Sequence, residues 1–179
     1  PARMPSAPYT SFSTTAEGHA KAARLHLPVS PLCNIACAFC RRDFNRVEHR
    51  PGVAARLLTP EDAVGVVERA VRLIPNLAVV GIAGPGDPLA SLHAIATFGR
   101  IHARWPDLTL CVSTNGLMLP ARVGELRAAG VTTLTVTVNA VDAAIQAQMT
   151  PKVAWERRRL DGVEIDERLA QRLIDGAVP

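Results

Sequence analysis

Four apolar runs, each followed within a few residues by a stretch of helical periodicity, constrain this chain more than any other feature. The runs are Leu25 to Val29, Leu77 to Ala83, Leu108 to Val112 and Thr132 to Val138. The second is continuously apolar, the pattern of a strand buried on both faces, as parallel strands are. Helices are expected from Thr59 to about Ile74, from about Ser91 to Arg104, from about Pro120 to Ala129 and from about Asp142 to Gln148. The first has the clearest start, with Thr59 as N-cap, Pro60 at the first helical position, and Glu61 and Asp62 in the first turn. Its apolar positions 63, 66, 67, 70, 71 and 74 fall on one face. Alternation of this kind, with short connections, predicts an α/β fold whose parallel sheet is built from right-handed βαβ units. A polar, Arg-rich link and a last helix over about 166–175 are expected to follow. Residues 1–18 are rich in Pro, Ser and Thr without periodicity and read as an extended arm ahead of a core domain over 19–179.

Each predicted strand ends in polar, Gly-rich or Cys-rich residues, at the edge where parallel α/β sheets bind ligands. After the first strand come Cys33, Cys37 and Cys40, in C-x3-C-x2-C spacing with Phe39 before the last. After the second come Gly84, Pro85, Gly86 and Asp87; after the third, Ser113, Thr114 and Asn115; after the fourth, Asn139. A Gly-Pro-Gly segment is equally a tight turn, and Ser, Thr and Asn at strand ends equally cap the next helix. The cysteine loop is more specific. Structural zinc sites pair two C-x2-C units, and no second pair exists here; a ferredoxin-type carrier would show C-x2-C-x2-C. Three thiolates around a [4Fe-4S] cubane leave one iron without a protein ligand, an open position at which chemistry can occur.

This loop, placed directly after a first strand, resembles the signature of the radical S-adenosylmethionine (radical SAM) family. The resemblance implies that S-adenosylmethionine (SAM) binds the open iron through its amino and carboxylate groups. It also implies reductive cleavage of SAM by one electron and a six-unit partial (β/α)6 barrel of TIM-like type. It assigns Cys33, Cys37 and Cys40 to the cluster, Gly84, Gly86 and Asp87 to the SAM amino group, and Ser113, Thr114, Asn115 and Asn139 to its ribose and carboxylate. Phe39 would shield the cluster or face the adenine. The four βα units would then be the N-terminal part of such a barrel, with a fifth strand expected beyond the last helix. The chain opens on Pro1 and not Met, so its start is also expected upstream.

A longer series, Arg24 to Val29, Arg50-Pro51-Gly52, Gly81 to Ala90, Leu110 to Leu117 and Thr135 to Asn139, is similar to the branch of that family that builds the core of the nitrogenase iron-molybdenum cofactor. That branch binds two further substrate clusters. Its pattern matches His19 and Cys111 as extra ligands, but has cysteines where this chain has Ser11 and Arg46. Neither replacement is a soft anionic ligand for iron. On residue type alone Cys111 is equally a small buried hydrophobe. The resemblance implies a lyase-type cofactor maturase, a low-potential ferredoxin or flavodoxin as electron donor, and cluster-donor and cofactor-carrier proteins as partners. Two alternatives stand beside it: another radical SAM reaction, such as methyl transfer or rearrangement, and a cluster-binding paralogue without chemistry.

Composition narrows the rest. The 179 residues are 48% hydrophobic and 20% charged, ordinary for a globular domain with a core. The net charge of +4 is spread along the chain, and the densest basic run, Arg157 to Arg159, reads as a solvated face, so no nucleic-acid partner is expected. No apolar run is long enough to span a membrane and no signal peptide is visible. Clustered cysteines fit a reducing compartment, and a cytoplasmic location is expected.

Overall fold

The computed structural model describes residues 22–40, 56–155 and 158–161. In chain order the elements are β1 (Ala23–His26), β2 (Ile35–Ala36), α1 (Pro60–Leu73), β3 (Leu77–Ile82), α2 (His93–Arg104), β4 (Thr109–Thr114), α3 (Leu119–Ala128), β5 (Val131–Val136), α4 (Ala143–Met149), β6 (Lys152–Trp155) and β7 (Arg158–Asp161). β1, β3, β4 and β5 form a parallel sheet in that order, and β2, β6 and β7 form a second, antiparallel sheet. The expected α/β fold with a parallel sheet is therefore present. The arm, His19, Ser11, Arg46 and the helix expected over 166–175 lie outside the described residues.

Two of the four helices start on a side-chain cap. The Thr59 hydroxyl oxygen accepts from the Asp62 backbone N–H at 3.1 Å, and Asp142 accepts from Ile145 N–H at 2.9 Å, so α1 and α4 are both side-chain capped. α2 starts two residues later than Ser91, whose hydroxyl receives the His93 N–H instead. Apolar faces of α1 and α2 bury Ala63, Val67, Ala94, Phe98 and Ile101 against Val80, Ile82, Leu110 and Val112 of the central strands. Alternate residues of β4 point to the other face, which places Cys111 beside Gly81 of β3 and Thr133 of β5. Burial of this continuous apolar layer is the main stabilising term for the domain.

Two expectations need correction. The first strand is Ala23–His26, not Leu25 to Val29. The Leu27 N–H still reaches the Gly81 carbonyl at 2.9 Å, but Pro28 has no N–H to extend the ladder. The Arg-rich segment after α4 is not a plain link: Lys152–Trp155 and Arg158–Asp161 pair antiparallel as a hairpin, and β6 pairs in turn with β2 inside the cysteine loop.

Candidate metal centre

The cysteine loop leaves the end of the parallel sheet and is tied to it on two sides. On one side the Gly86 N–H donates to the Ser30 carbonyl and the Asp87 N–H to the Leu32 carbonyl, both at 2.8 Å. A Cβ on Gly86 would fall on the Leu32 carbonyl and lie 2.9 Å from the Ser30 oxygen, so only glycine permits this approach. On the other side Ile35 and Ala36 pair with Val153 and Lys152, the Ala154 N–H donates to the Asn34 carbonyl at 2.7 Å, and the Ala38 N–H donates to the Met149 carbonyl at 2.9 Å. Ile35 and Val153 make a small second core, against which Cys33, Cys37, Leu117 and Ala147 pack.

Asp87 joins the strand ends. Its carboxylate is 4% exposed and accepts from the Leu89 N–H at 2.8 Å, the Asn115 N–H at 2.7 Å and the Thr114 hydroxyl at 2.8 and 2.9 Å. Asn115 then donates from Nδ2 to Asn34 Oδ1 at 2.8 Å, while its Oδ1 accepts from the Leu117 N–H at 3.0 Å. The loops after β3 and β4 and the cysteine loop are thus one hydrogen-bonded unit.

Between these loops lies a cleft of about 240 Å³. Cys33, Cys37, Phe39 and Cys40 line one wall; Ala83, Pro85, Gly86 and Asp87 line another; Ser113, Thr114, Asn115, Thr137 and Asn139 complete it. Of the residues singled out in the sequence, Gly84 is set back from this lining, with φ +151°. Cys111 is also elsewhere: it is buried on β4, in register with Gly81 of β3 and Thr133 of β5. Burial pushes that thiol up and Arg24 opposes the shift. Cys37 is pushed up by burial and by the neighbouring sulfurs of Cys33 and Cys40; hydrogen bonds from Thr150 and Asn139 act the other way.

The match of this chain to known proteins falls on the same residues. A family model of the radical SAM superfamily matches residues 27–165. The chain belongs to the radical SAM superfamily. It is similar to the FeMo cofactor biosynthesis protein NifB of Klebsiella pneumoniae, 48% identical over 161 residues, covering 89% of this chain and 34% of that protein. NifB of Methanocaldococcus jannaschii is 44% identical over 160 residues, 88% of this chain and 53% of the relative. NifB of Azotobacter vinelandii is 46% identical over 137 residues, 75% and 27%. The chain therefore spans about a third to a half of the length of the first two of these relatives.

For a radical SAM protein the donor set fits a cubane. Three thiols on one loop line an open cleft. Among the described residues no three His, Cys, Asp or Glu side chains converge on a site for a single metal ion. Three thiolates on one wall of the cleft leave one corner of a cubane without a protein ligand. What sequence reading missed is the support. Gln146, on the expected fourth helix, and Thr150 and Val153, on the segment after it that reads as a link, are buried.

Proposed function

We propose that this chain is the SAM-binding part of a NifB-like enzyme of nitrogenase cofactor assembly. The four βα units are, in this reading, part of a (β/α)6 partial barrel. Cys33, Cys37 and Cys40 hold a [4Fe-4S] cluster by three irons and leave the fourth open for SAM. The chemistry such a cluster supplies is one-electron cleavage of SAM to methionine and a 5'-deoxyadenosyl group. The observation that supports the assignment is the shared cleft: three thiols on one wall, and the ends of β3, β4 and β5 on the others.

The chain's own residues orient and enclose. The backbone carbonyls of Pro85 and Gly86, the side chains of Ser113 and Asn139, and the second amide N–H of Asn115 offer polar groups to the amino acid and ribose parts of SAM. Asp87 and Thr114 act by holding Asn115 in place, because their polar side-chain atoms already bond to one another and to backbone N–H groups. Phe39, 60% exposed at the rim, covers an adenine or the cluster. A low-potential ferredoxin or flavodoxin supplies the electron, and cluster-donor and cofactor-carrier proteins precede and follow the step. No helix among the described residues is long and apolar enough to cross a membrane, and a cytoplasmic setting is proposed. Cys111, buried on β4, and His19 remain the two candidates for holding a substrate cluster.

Anaerobic reconstitution tests the reading. It is expected to give about four irons per chain in this site, an electron paramagnetic resonance signal that changes on adding SAM, and 5'-deoxyadenosine release under reductant. Cys33→Ala is expected to lose all three. A Cys33→Ala protein with wild-type iron and signal refutes the ligand assignment. Release of 5'-deoxyadenosine without rescue of nitrogenase maturation in an extract lacking its own NifB would favour a different radical SAM reaction.

A further inference from the structure

The carboxamide of Asn115, on the wall of the cleft, has its orientation fixed from two sides. Its Oδ1 accepts from the Leu117 backbone N–H at 3.0 Å. A backbone N–H can only donate, so the amide cannot be flipped, and Nδ2 faces the other way. There it donates to Asn34 Oδ1 at 2.8 Å. The backbone beneath is held as well, because the Asn115 N–H donates to Asp87 Oδ2 at 2.7 Å. An amide NH2 carries two protons. One is taken by Asn34, and no acceptor among the described residues takes the second.

Asn34 stands in the cysteine loop, directly after Cys33. Its carbonyl accepts from the Ala154 N–H at 2.7 Å, and Ile35 and Ala36 pair with Val153 and Lys152. The acceptor for Asn115 is therefore mounted on backbone that the hairpin holds. The Nδ2 of Asn34 is buried and has no partner among the described residues. A buried NH2 without a partner is unfavourable, and an apolar residue of similar size would not have one. The polar end of Asn34 serves Asn115 alone.

We propose that Asn34 is a positioning residue for SAM: its Oδ1 holds the Asn115 carboxamide so that the second N–H meets an acceptor oxygen of SAM. This rests on the SAM-site reading above and names a residue that acts on SAM only through another. Without Asn34, the Asn115 side chain is held at Oδ1 alone and its NH2 must be ordered when the ligand binds. That lost preorganisation weakens binding. The loop that carries the thiols thus also aligns the residue that ends β4.

The experiment is calorimetric titration of SAM into the reconstituted full chain without reductant, with iron measured for every variant. Asn34→Ala is expected to keep about four irons and to bind SAM about tenfold more weakly, the effect of one hydrogen bond. Asn34→Leu removes the same acceptor while keeping the volume, and carries the test where Asn34→Ala does not retain iron. The same substitutions are then made in an Asn115→Ala background, where they are expected to change SAM affinity no further, because the group they position is gone. Wild-type affinity in the Asn34 variants overturns the proposal. An equal loss in both backgrounds overturns it too, since a residue that merely braces the fold would act whether or not Asn115 is present. Loss of iron in both Asn34 variants likewise overturns it, because Asn34 would then support the cysteine loop. A wild-type chain that binds neither a cubane nor SAM overturns the function reading and this one with it, whereas normal binding of both with unchanged affinity in Asn34→Ala overturns only this one.

Discussion

Replacing Asp87 by Asn separates two roles for the most connected side chain at the cleft. A residue that acted only on a bound ligand would leave the ligand-free protein unchanged. In the structure Asp87 accepts from two backbone N–H groups, of Leu89 and Asn115, and from the Thr114 hydroxyl, at 4% exposure. An asparagine keeps one acceptor oxygen and turns an NH2 toward the remaining donors. One buried or half-buried N–H then loses its partner, a cost of about 1–3 kcal/mol, and the bonds that survive lose their charge assistance. Together these give a loss of about 3 kcal/mol, on the order of 6–12 °C in melting temperature for a chain of this length. The assay is thermal unfolding of the metal-free protein by circular dichroism, with Thr114→Val beside it. That variant removes the donor to Asp87 and also the acceptor of the Gly116 N–H, and a loss of about 1–3 kcal/mol is expected. An Asp87→Asn protein melting within about 1 °C of wild type would refute the clamp, since even one orphaned N–H exceeds that shift.

Gly86→Ala is expected to destabilise by about 3 kcal/mol, because the new methyl meets the Leu32 carbonyl and breaks the two loop-to-loop bonds. Gly99→Ala in α2, where nothing lies within 4 Å of the new Cβ, is the control and should be neutral or slightly stabilising; equal melting temperatures for the two variants would refute the steric argument. His26 supplies a pH dependence. Burial, aided by Arg24, lowers its pKa below 6.5 in the folded state. The unfolded chain then binds the proton more readily, so this contribution is present above about pH 6.5 and is lost as pH falls below it. Melting temperature between pH 7 and pH 5 should therefore fall more steeply for wild type than for His26→Gln, and parallel curves would contradict the assignment.

The parallel sheet was legible because its signals are local. The run Leu77 to Ala83 is apolar throughout, Thr59-Pro60-Glu61-Asp62 is a complete helix start, and Asp142 caps α4 where expected. The cleft was legible because a parallel sheet collects its strand ends at one edge, which brings Cys33, Asp87, Ser113 and Asn139 together. What the residues could not announce is pairing across the chain. Ile35–Ala36 is a two-residue strand between cysteines, too short for any period, and its partner Lys152–Trp155 sits in a stretch whose charges resemble a solvated link. The resemblance assigns Asp87 to the SAM amino group, and its hydrogen bonds within the protein had no sequence signal. Its three donors come from Leu89, Thr114 and Asn115, and only folding brings the last two within reach.

The antiparallel sheet changes how the cysteine loop is understood. Ordering a cysteine loop around a metal normally draws on the binding energy. Here it is held at several points by protein alone. Ser30 and Leu32 bond to the β3 loop, Asn34 to Asn115 and Ala154, Ile35 and Ala36 to β6, and Ala38 to Met149. The parallel sheet fixes where the loop begins and the hairpin fixes the stretch that carries Cys37. Such preorganisation of the backbone cuts the ordering cost of binding. It also means that the two sheets are coupled through the loop: a change in β6 moves the sulfurs as directly as a change in β3. The residues that govern this centre therefore extend well beyond the cysteines, to Gly86 and Asp87 on one side and to Gln146, Thr150 and Val153 on the other.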